Sequence, residues 1–329
     1  MKAVRCTNWC QPSGLTIEDL PRPQPGPAEV LVRVAAASLN FPDVLIIQGL
    51  YQVKPPLPFT PGFELAGTVE QAGAEAAAKF PPGTRVLAQC DLGAFAEYAI
   101  APVHSVRSLP PGLDDAEAAA FSLVYQTSYF GLVYRGQLAR GENVLVHSAA
   151  GGVGLAAVQI ARALGAGKII GTVGSDDKRA AVLAAGADVV VNYQTENFVE
   201  AVKAATAGHG ADVIYDPVGG DLSEQSTRCI AFEGRLVIIG FTSGKFPNFK
   251  GNHLLVKNYS VVGLHWGYYR QMDPAKIEQG WQDLMNLYKT GHLKPVIAAR
   301  YPLARVADAM DHLTSRRAVG KIILDVNMG

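Results

Sequence analysis

Residues 143–164, NVLVHSAAGGVGLAAVQIARAL, leave few folds open to the chain. The apolar run 143–147 reads as a buried strand, and a turn of small residues follows it at once. Beyond the turn Val153, Ala157, Ile160 and Leu164 recur at helical spacing, so the helix would lay one apolar face on a sheet. Ala149, Gly151 and Gly154, with Gly152 and Val153 between them, fall on the three small-residue positions of a dinucleotide fingerprint, Ala replacing the first Gly. Each position has a physical job: a tight turn, room for the backbone to reach a pyrophosphate, and close helix–strand packing. The helix start then offers unpaired N–H groups and the positive end of a dipole to the phosphates. A glycine cluster alone predicts only a strand–helix turn. The strand before it and the amphipathic helix after it point to a cofactor.

With 329 residues the chain exceeds one ordinary core, and two domains are expected. A hydrophobic content of 49% against 18% charged residues describes a well-buried globule. The 29 basic and 29 acidic side chains cancel, which argues against nucleic acid or an anionic membrane as partner and suits a self-associating protein. Cys6, Cys10, Cys90 and Cys229 form no CxxC pair, so they read as free thiols in a reducing compartment. Residues 1–4 run into a strand-like segment without a charged-then-apolar signal pattern, and the most apolar stretch, 143–167, is broken by His147, Gln159 and Arg162. A soluble, cytoplasmic protein is expected.

Two textures alternate along the chain. Residues 1–122 combine short apolar alternations, such as 29–37, 84–88 and 95–100, with Pro/Gly turns, as in an irregular β barrel or sandwich. An alanine-rich helix is expected over 114–121, with Asp114 as its cap. From residue 123 strands alternate with helices, as a doubly wound parallel sheet requires. The strands are expected at 143–147, 168–173, 188–192, 211–216, 234–241 and 260–264, with helices at 177–185, 195–207 and 274–291. Residues 297–329 return to the first texture, ending in a strand at 320–326. The domain reading is therefore 1–122 with 297–329, and 123–296 between them.

The second strand ends Gly171-Thr172-Val173-Gly174-Ser175, so the position that carries a ribose-binding acid in NAD-selective folds is uncharged. Lys178 lies one turn on and can pair with a 2′-phosphate, or else is an ordinary solvated lysine at a helix start; Asp176 and Asp177 between weigh against the pairing unless their side chains face solvent. NADPH is favoured over NADH.

Over nearly its whole length the chain resembles the medium-chain dehydrogenase/reductase superfamily, and in particular its zinc-free, zeta-crystallin-like quinone oxidoreductase branch. The resemblance is carried by Leu39-Asn40-Phe41-Pro42-Asp43, Gly49-Leu50-Tyr51, Pro61-Gly62-Phe63-Glu64-Leu65-Ala66-Gly67, residues 149–154 and 171–178, Asn192-Tyr193 and Arg317-Ala318. It implies a GroES-like catalytic domain, a Rossmann domain, NADPH in a cleft between them and a homodimer paired through the Rossmann sheets. Zinc-dependent relatives place His before Glu where this chain has Gly62-Phe63-Glu64, and Glu64 alone cannot make a site that needs three protein ligands. A metal-free enzyme is expected, with Glu64 structural.

Without a Lewis acid the acceptor must be electrophilic by itself, which selects quinones or carbon–carbon double bonds conjugated to a carbonyl. The resemblance implies that Asn40, Tyr51 and Thr127 line the nicotinamide end, with Tyr51 the donor to the substrate oxygen. Some members carry a second Tyr where this chain has Leu45. Ser175, Lys178, Tyr193 and Arg317 are implied at the adenosine-phosphate end. Phe241, after the fifth strand, can shield the nicotinamide, since ligands collect at the carboxyl ends of such strands. His147 reads as a packed or cleft-rim histidine rather than a ligand, and Trp266, Tyr268 and Tyr269 as core or dimer packing or, more sharply, as a ring-binding wall. The alternatives are a reductase of 2-enoyl-CoA thioesters, with Lys245, Lys250, Lys257 and Arg270 near the CoA phosphates, or a non-catalytic NADPH- or RNA-binding, crystallin-like protein.

Overall fold

The computed structural model describes residues 1–109 and 112–326. The chain divides into two compact units, Met1–Leu123 with Pro295–Gly329, and Val124–Lys294.

In the second unit six parallel strands, Val144–Val146, Ile169–Val173, Val189–Asn192, Ala211–Asp216, Ile230–Ile238 and Ser260–Gly263, form one sheet. Numbered along the chain, their spatial order is 3-2-1-4-5-6. The order reverses between the first and fourth strands, and in such sheets the crevice at that reversal takes the ligand. Helix Gly152–Ala163 starts at the carboxyl end of the first strand, so the glycine turn lies at the reversal. The strands are almost entirely apolar, as expected when both faces are covered by helices.

The fifth strand starts earlier than its glycine suggested. A bulge lies between the pairs Ala211↔Ile230 and Val213↔Arg235, with Glu233 in a left-handed conformation, so Gly234 sits inside the strand rather than before it. Helices Phe198–Ala205 and Pro274–Lys289 carry side-chain caps: Asn197 accepts from Val199 N and Glu200 N, and Asp273 accepts from Lys276 N. Helices Phe41–Ile47, Ser122–Tyr129, Gly251–Lys257 and Trp266–Met272 were not expected from the sequence. Three span seven residues, too few turns to show a helical period, and Ser122–Tyr129 runs straight into the wider-wound stretch Phe130–Arg135, which breaks the 3.6-residue period.

The first unit is mainly antiparallel β. Its large sheet runs Ile297–Pro302, Lys321–Asp325, Glu29–Ser38, Glu64–Ala72, Arg85–Gln89, Val106–Ser108, and Tyr98–Pro102 also pairs with Glu29–Ser38. The last strand lies inside this sheet, with Ile323 opposite Ser38 and Asp325 opposite Ala36. Val32, Val34, Leu65, Val86, Phe95, Ile322 and Leu324 meet in its core. Helix Asp115–Ala119 is capped by Asp114, whose carboxylate accepts from Glu117 N at 2.7 Å. Among the described residues no helix is long and apolar enough to cross a membrane.

Candidate active site

The glycine turn is built from close backbone approaches. Ser148, not Ala149, takes the left-handed conformation at the end of the first strand, with φ +50°. Ala149 is fully buried, and its N–H donates to Thr172 O at 2.9 Å. Its methyl is accommodated because residue 171 is glycine: a Cβ there would stand 2.9 Å from Ala149 Cβ. Gly151 caps the helix and Gly152 opens it, and residues 151–153 keep partial exposure. Gly154 is buried against the turn, where a Cβ would lie 2.2 Å from Ser148 O and 2.7 Å from Ala149 Cα. No side chain larger than hydrogen fits there, and the first N–H groups of the helix have no acceptor within it.

Thr127 is tied to this turn through its neighbour. Ser128 Oγ donates to Val153 O at 2.9 Å and lies 3.0 Å from Tyr215 Oη, while Tyr125 OH donates to Gln159 Oε1 at 2.8 Å. Helix Ser122–Tyr129 is thereby held against the glycine helix, with Thr127 half-buried beside its start.

At the end of the second strand, Tyr193 Oη sits 3.0 Å from where a Gly174 Cβ would be, so the structure brings Tyr193 to the turn that carries Ser175 and Lys178. Asp176 does not simply face solvent. Arg179 Nε donates to Asp176 Oδ1 at 2.6 Å, and the same guanidinium binds Glu196 Oε1 and Val190 O. That hydrogen bond holds the Asp176 carboxyl below the usual carboxylate range. Arg179 was missed in the sequence, where it follows Lys178 as an ordinary helix-start cation. Phe241 lies beside the loop after the fourth strand: Thr242 N donates to Pro217 O at 3.1 Å, Ser243 N donates to Val218 O at 3.0 Å, and Phe241 packs edge-on against Phe246. Arg317 belongs to the other unit, where its Nε donates to Ser315 Oγ at 3.1 Å.

His147 is fully buried beneath the turn, 3.0 Å from Thr172 Oγ1 and 2.8 Å from Ser226 Oγ. Ser226 spends its own proton on Leu222 O, so His147 donates from Nε2 and accepts Thr172 at Nδ1. Burial lowers its pKa to about 4, against a smaller opposing pull from Asp216. The folded protein therefore stays neutral at a site that the unfolded chain protonates below about pH 6.5. Stability present above that pH is lost as pH falls, by about 2 kcal/mol at pH 5. Urea unfolding of wild type and His147→Gln at pH 7.5 and pH 5 checks this; the variant should lose that part of the pH dependence.

In the first unit Asn40 joins a buried polar network rather than standing open. Lys321 Nζ donates to Leu39 O (2.7 Å), Asn40 Oδ1 (2.6 Å) and Glu64 Oε1 (3.1 Å). Asn40 Nδ2 donates to Glu64 Oε1 at 2.9 Å, and Ser38 Oγ donates to the same oxygen at 3.1 Å. Leu123 N donates to Glu64 Oε2 at 2.8 Å. Both ends of the Asn40 amide are thus committed, which makes Asn40 a residue that fixes its loop. Its backbone N–H donates to Asp43 Oδ2 at 2.7 Å, capping helix Phe41–Ile47. Asp43 is fully buried, and burial pushes its carboxyl up to about 8, with Glu64 adding to the effect while the Asn40 N–H and Lys321 oppose it. Tyr51 is half-buried against Phe63, and burial, then the nearby Asp43 charge, raises its pKa. A raised phenol stays a donor at neutral pH.

A GroES-like β unit and a doubly wound dinucleotide unit on one chain are the architecture of medium-chain dehydrogenases/reductases. Residues 26–111 match the alcohol dehydrogenase GroES-like domain, and residues 152–285 match the zinc-binding dehydrogenase family. The chain is 37% identical, over 98% of its length and 88% of the relative's, to the quinone oxidoreductase-like protein 2 homolog of Nematostella vectensis. The structure of Escherichia coli quinone oxidoreductase complexed with NADPH aligns with a TM-score of 0.91 at 32% identity, covering 99% of this chain and 100% of that one. CurK enoyl reductase aligns with a TM-score of 0.89 at 28% identity, over 98% of each chain. The chain belongs to the quinone oxidoreductase branch of the medium-chain dehydrogenase/reductase superfamily.

Zinc, which the second family's description implies, does not fit these residues. Phe63 stands where a ligating His would precede Glu64, and both Glu64 oxygens are engaged by Lys321, Asn40, Ser38 and Leu123 N. Among the described residues no group of three or more His, Cys, Asp or Glu side chains is arranged to hold a metal ion. The glycine turn, in contrast, fits a dinucleotide: Gly154 lets the helix pack directly on Ser148 and Ala149, and Gly151 and Gly152 leave the cap and the first helical position without side chains.

Proposed function

We propose that the protein is an NADPH-dependent reductase that passes a hydride to quinones or conjugated enones with no metal. The observation that carries this reading is the glycine helix at the sheet's reversal point, where Gly154 presses on Ser148 O and the first-turn N–H groups stay open. When bound, the reduced nicotinamide supplies the hydride. Gly151, Gly152, Val153 and Gly154 hold the pyrophosphate with backbone N–H groups, and Ala149 shapes the turn beneath them. Ser175, Lys178 and Tyr193 hold the adenosine end, with Lys178 as the 2′-phosphate cation, and Arg317 supplies a further guanidinium. Thr127 and Phe241 border the nicotinamide, and Phe241 sheds water from it. Asn40 is held rigid by Lys321 and Glu64, and it positions the loop that carries Tyr51.

The acceptor has to be electrophilic by itself, since Glu64, with both oxygens engaged by Lys321, Asn40, Ser38 and Leu123 N, is not free to hold a Lewis-acidic cation that would polarise an unactivated ketone. Tyr51 keeps its proton at neutral pH and donates to the acceptor oxygen as negative charge develops there. The same chemistry serves a 2-enoyl thioester, a second reading favoured by the likeness to CurK enoyl reductase. The open edge of strand Ser260–Gly263, which has a single neighbour in its sheet, supports a homodimer joined through the Rossmann sheets. Four free thiols suit a cytoplasmic setting.

The test is NADPH oxidation by the purified protein with a benzoquinone, a simple enone and a 2-enoyl thioester. Turnover of the first two ahead of the thioester is expected, and turnover of none would reject the reading. In the same assay Lys178→Ala should raise the KM for NADPH about tenfold, as loss of roughly 1.4 kcal/mol would, and leave NADH unchanged. Tyr51→Phe should lower kcat; an unchanged kcat removes Tyr51 as the donor.

A further inference from the structure

Cys6 and Cys10 converge on one carbonyl. Cys6 is fully buried, and its thiol donates to Asn8 O at 3.1 Å and lies 3.8 Å from Ile47 O. Cys10 is half-buried and donates its backbone N–H to the same Ile47 O at 2.8 Å. Gly14 leaves room for the Cys10 side chain, since a Cβ on Gly14 would stand 2.7 Å from Cys10 Cβ. Ile47 O is thus a common neighbour of the Cys6 thiol and the Cys10 backbone, and burial first, then the neighbouring Cys10, pushes the Cys6 thiol up to about 12.

The three residues between these cysteines end in Trp9, which lies under the loop proposed to meet the substrate. A Cβ on Gly49 would stand 3.0 Å from Trp9 Cδ2, and Gly49 holds a left-handed φ of +68° that L residues with side chains resist. Trp9 also packs on Phe59 at 6.1 Å between ring centroids, and Gln48 Nε2 donates to Gln11 Oε1 at 2.9 Å. Gly49 is followed directly by Leu50 and Tyr51, so the cysteine turn is the floor of that loop.

We propose that Cys6 and Cys10 form an oxidisable dithiol, and that closing a disulfide between them fixes the Trp9 turn beneath residues 49–51. The oxidant is a hydroperoxide. Cys10, the less buried partner, attacks the terminal peroxide oxygen as thiolate; the O–O bond breaks, the alcohol leaves with a proton, and Cys10 becomes a sulfenic acid. The Cys6 sulfur then attacks the Cys10 sulfur; the S–S bond forms, the S–O bond breaks, and the hydroxide leaves as water with the Cys6 proton. Two thiols lose two electrons in all, and the hydroperoxide is reduced to alcohol and water. Burial keeps Cys6 protonated, so the second step is the slow one. Cys229 is fully internal, donates to Ser226 O, and is held as a thiol by burial with its pKa up to about 12; it serves as an internal control.

The experiment exposes the full-length protein to tert-butyl hydroperoxide, alkylates the remaining thiols, digests with trypsin and weighs the peptides. Cleavage after Arg5 leaves both cysteines in one peptide. The expected product is that peptide two hydrogens lighter, unalkylated, and returned to its reduced mass by dithiothreitol, with Cys229 unmodified. The oxidised protein should lose kcat/KM for a quinone several-fold and regain it on reduction, while Cys10→Ser and Cys10→Ala should be insensitive. Alkylation of both thiols after peroxide, or a sulfinic Cys10 beside an alkylated Cys6, would overturn the dithiol. A formed disulfide with unchanged kcat/KM would overturn its hold on the loop. The mass readout needs no turnover, so it stands apart from the proposed reaction.

Discussion

Lys321→Met is expected to destabilise the first unit by about 3–5 kcal/mol. The wild-type ammonium is 5% exposed and makes three hydrogen bonds, to Leu39 O, Asn40 Oδ1 and Glu64 Oε1. Methionine fills most of the volume but leaves Glu64 as an uncompensated buried charge, still facing Ser38, Asn40 and Leu123 N. Leaving the other partner charged is what makes such a truncation expensive; a pair removed whole costs much less. Lys321→Met with Glu64→Gln should therefore recover part of the loss, but not all, because the amide keeps one acceptor end and sets its NH2 either against the Leu123 N–H or against Asn40 Nδ2 and Ser38 Oγ. Urea unfolding measures both variants, and a single variant within about 1 kcal/mol of wild type would show that the pair contributes little. The same variant should lower kcat, since Asn40 and the loop beyond it lose their anchor.

Gly154→Ala carries the second large effect. One added methyl would stand 2.2 Å from Ser148 O and 2.8 Å from Ala149 C, both backbone atoms of the turn. The turn cannot yield without moving the first strand's end, so overpacking of about 1–3 kcal/mol is expected together with loss of the pyrophosphate cradle. Gly151→Ala is the informative contrast. Its methyl would meet Ser148 O at 3.3 Å and Ser148 Oγ at 3.4 Å, contacts that a small adjustment relieves. That variant should fold as wild type and still bind NADPH at least tenfold more weakly, a loss of about 1.4 kcal/mol, because its methyl points where the phosphates approach. Thermal unfolding with and without NADPH separates the two: Gly154→Ala should lower Tm in both conditions, and Gly151→Ala should lose only the ligand-induced rise.

The Rossmann half was readable because its signals are local. An apolar strand, a glycine turn and an amphipathic helix sit within residues 143–164, and the alternation of strand and helix repeats from there. Ser148 shows the limit of such reading. The turn was assigned to Ala149 by the motif, but the left-handed residue lies one position earlier, and Gly171 on another strand is what makes room for the alanine. Arg179 shows another limit, since its partners Val190 and Glu196 become neighbours only when the third strand docks. The polar network of the first unit was the least legible part. Asn40 and Lys321 are 281 residues apart, and no local pattern joins them. One signal was present: a lone lysine opens the otherwise apolar run Lys321-Ile322-Ile323-Leu324, and a charge in a buried strand calls for a partner.

The last strand's place inside the first unit's sheet sets an order of events during synthesis. Residues 1–123 leave the ribosome long before Lys321–Asp325 exists to lie against Glu29–Ser38. Until then Ala36–Ser38 at the end of strand Glu29–Ser38 lack their antiparallel neighbour, while Glu29–Arg33 already pair with Tyr98–Pro102, and Glu64 lacks the Lys321 ammonium. Residues 124–294, whose six strands are all encoded within that span, can finish first. The amino-terminal part is therefore translated first and matures last, and the interval between is when a chaperone has an exposed edge to protect.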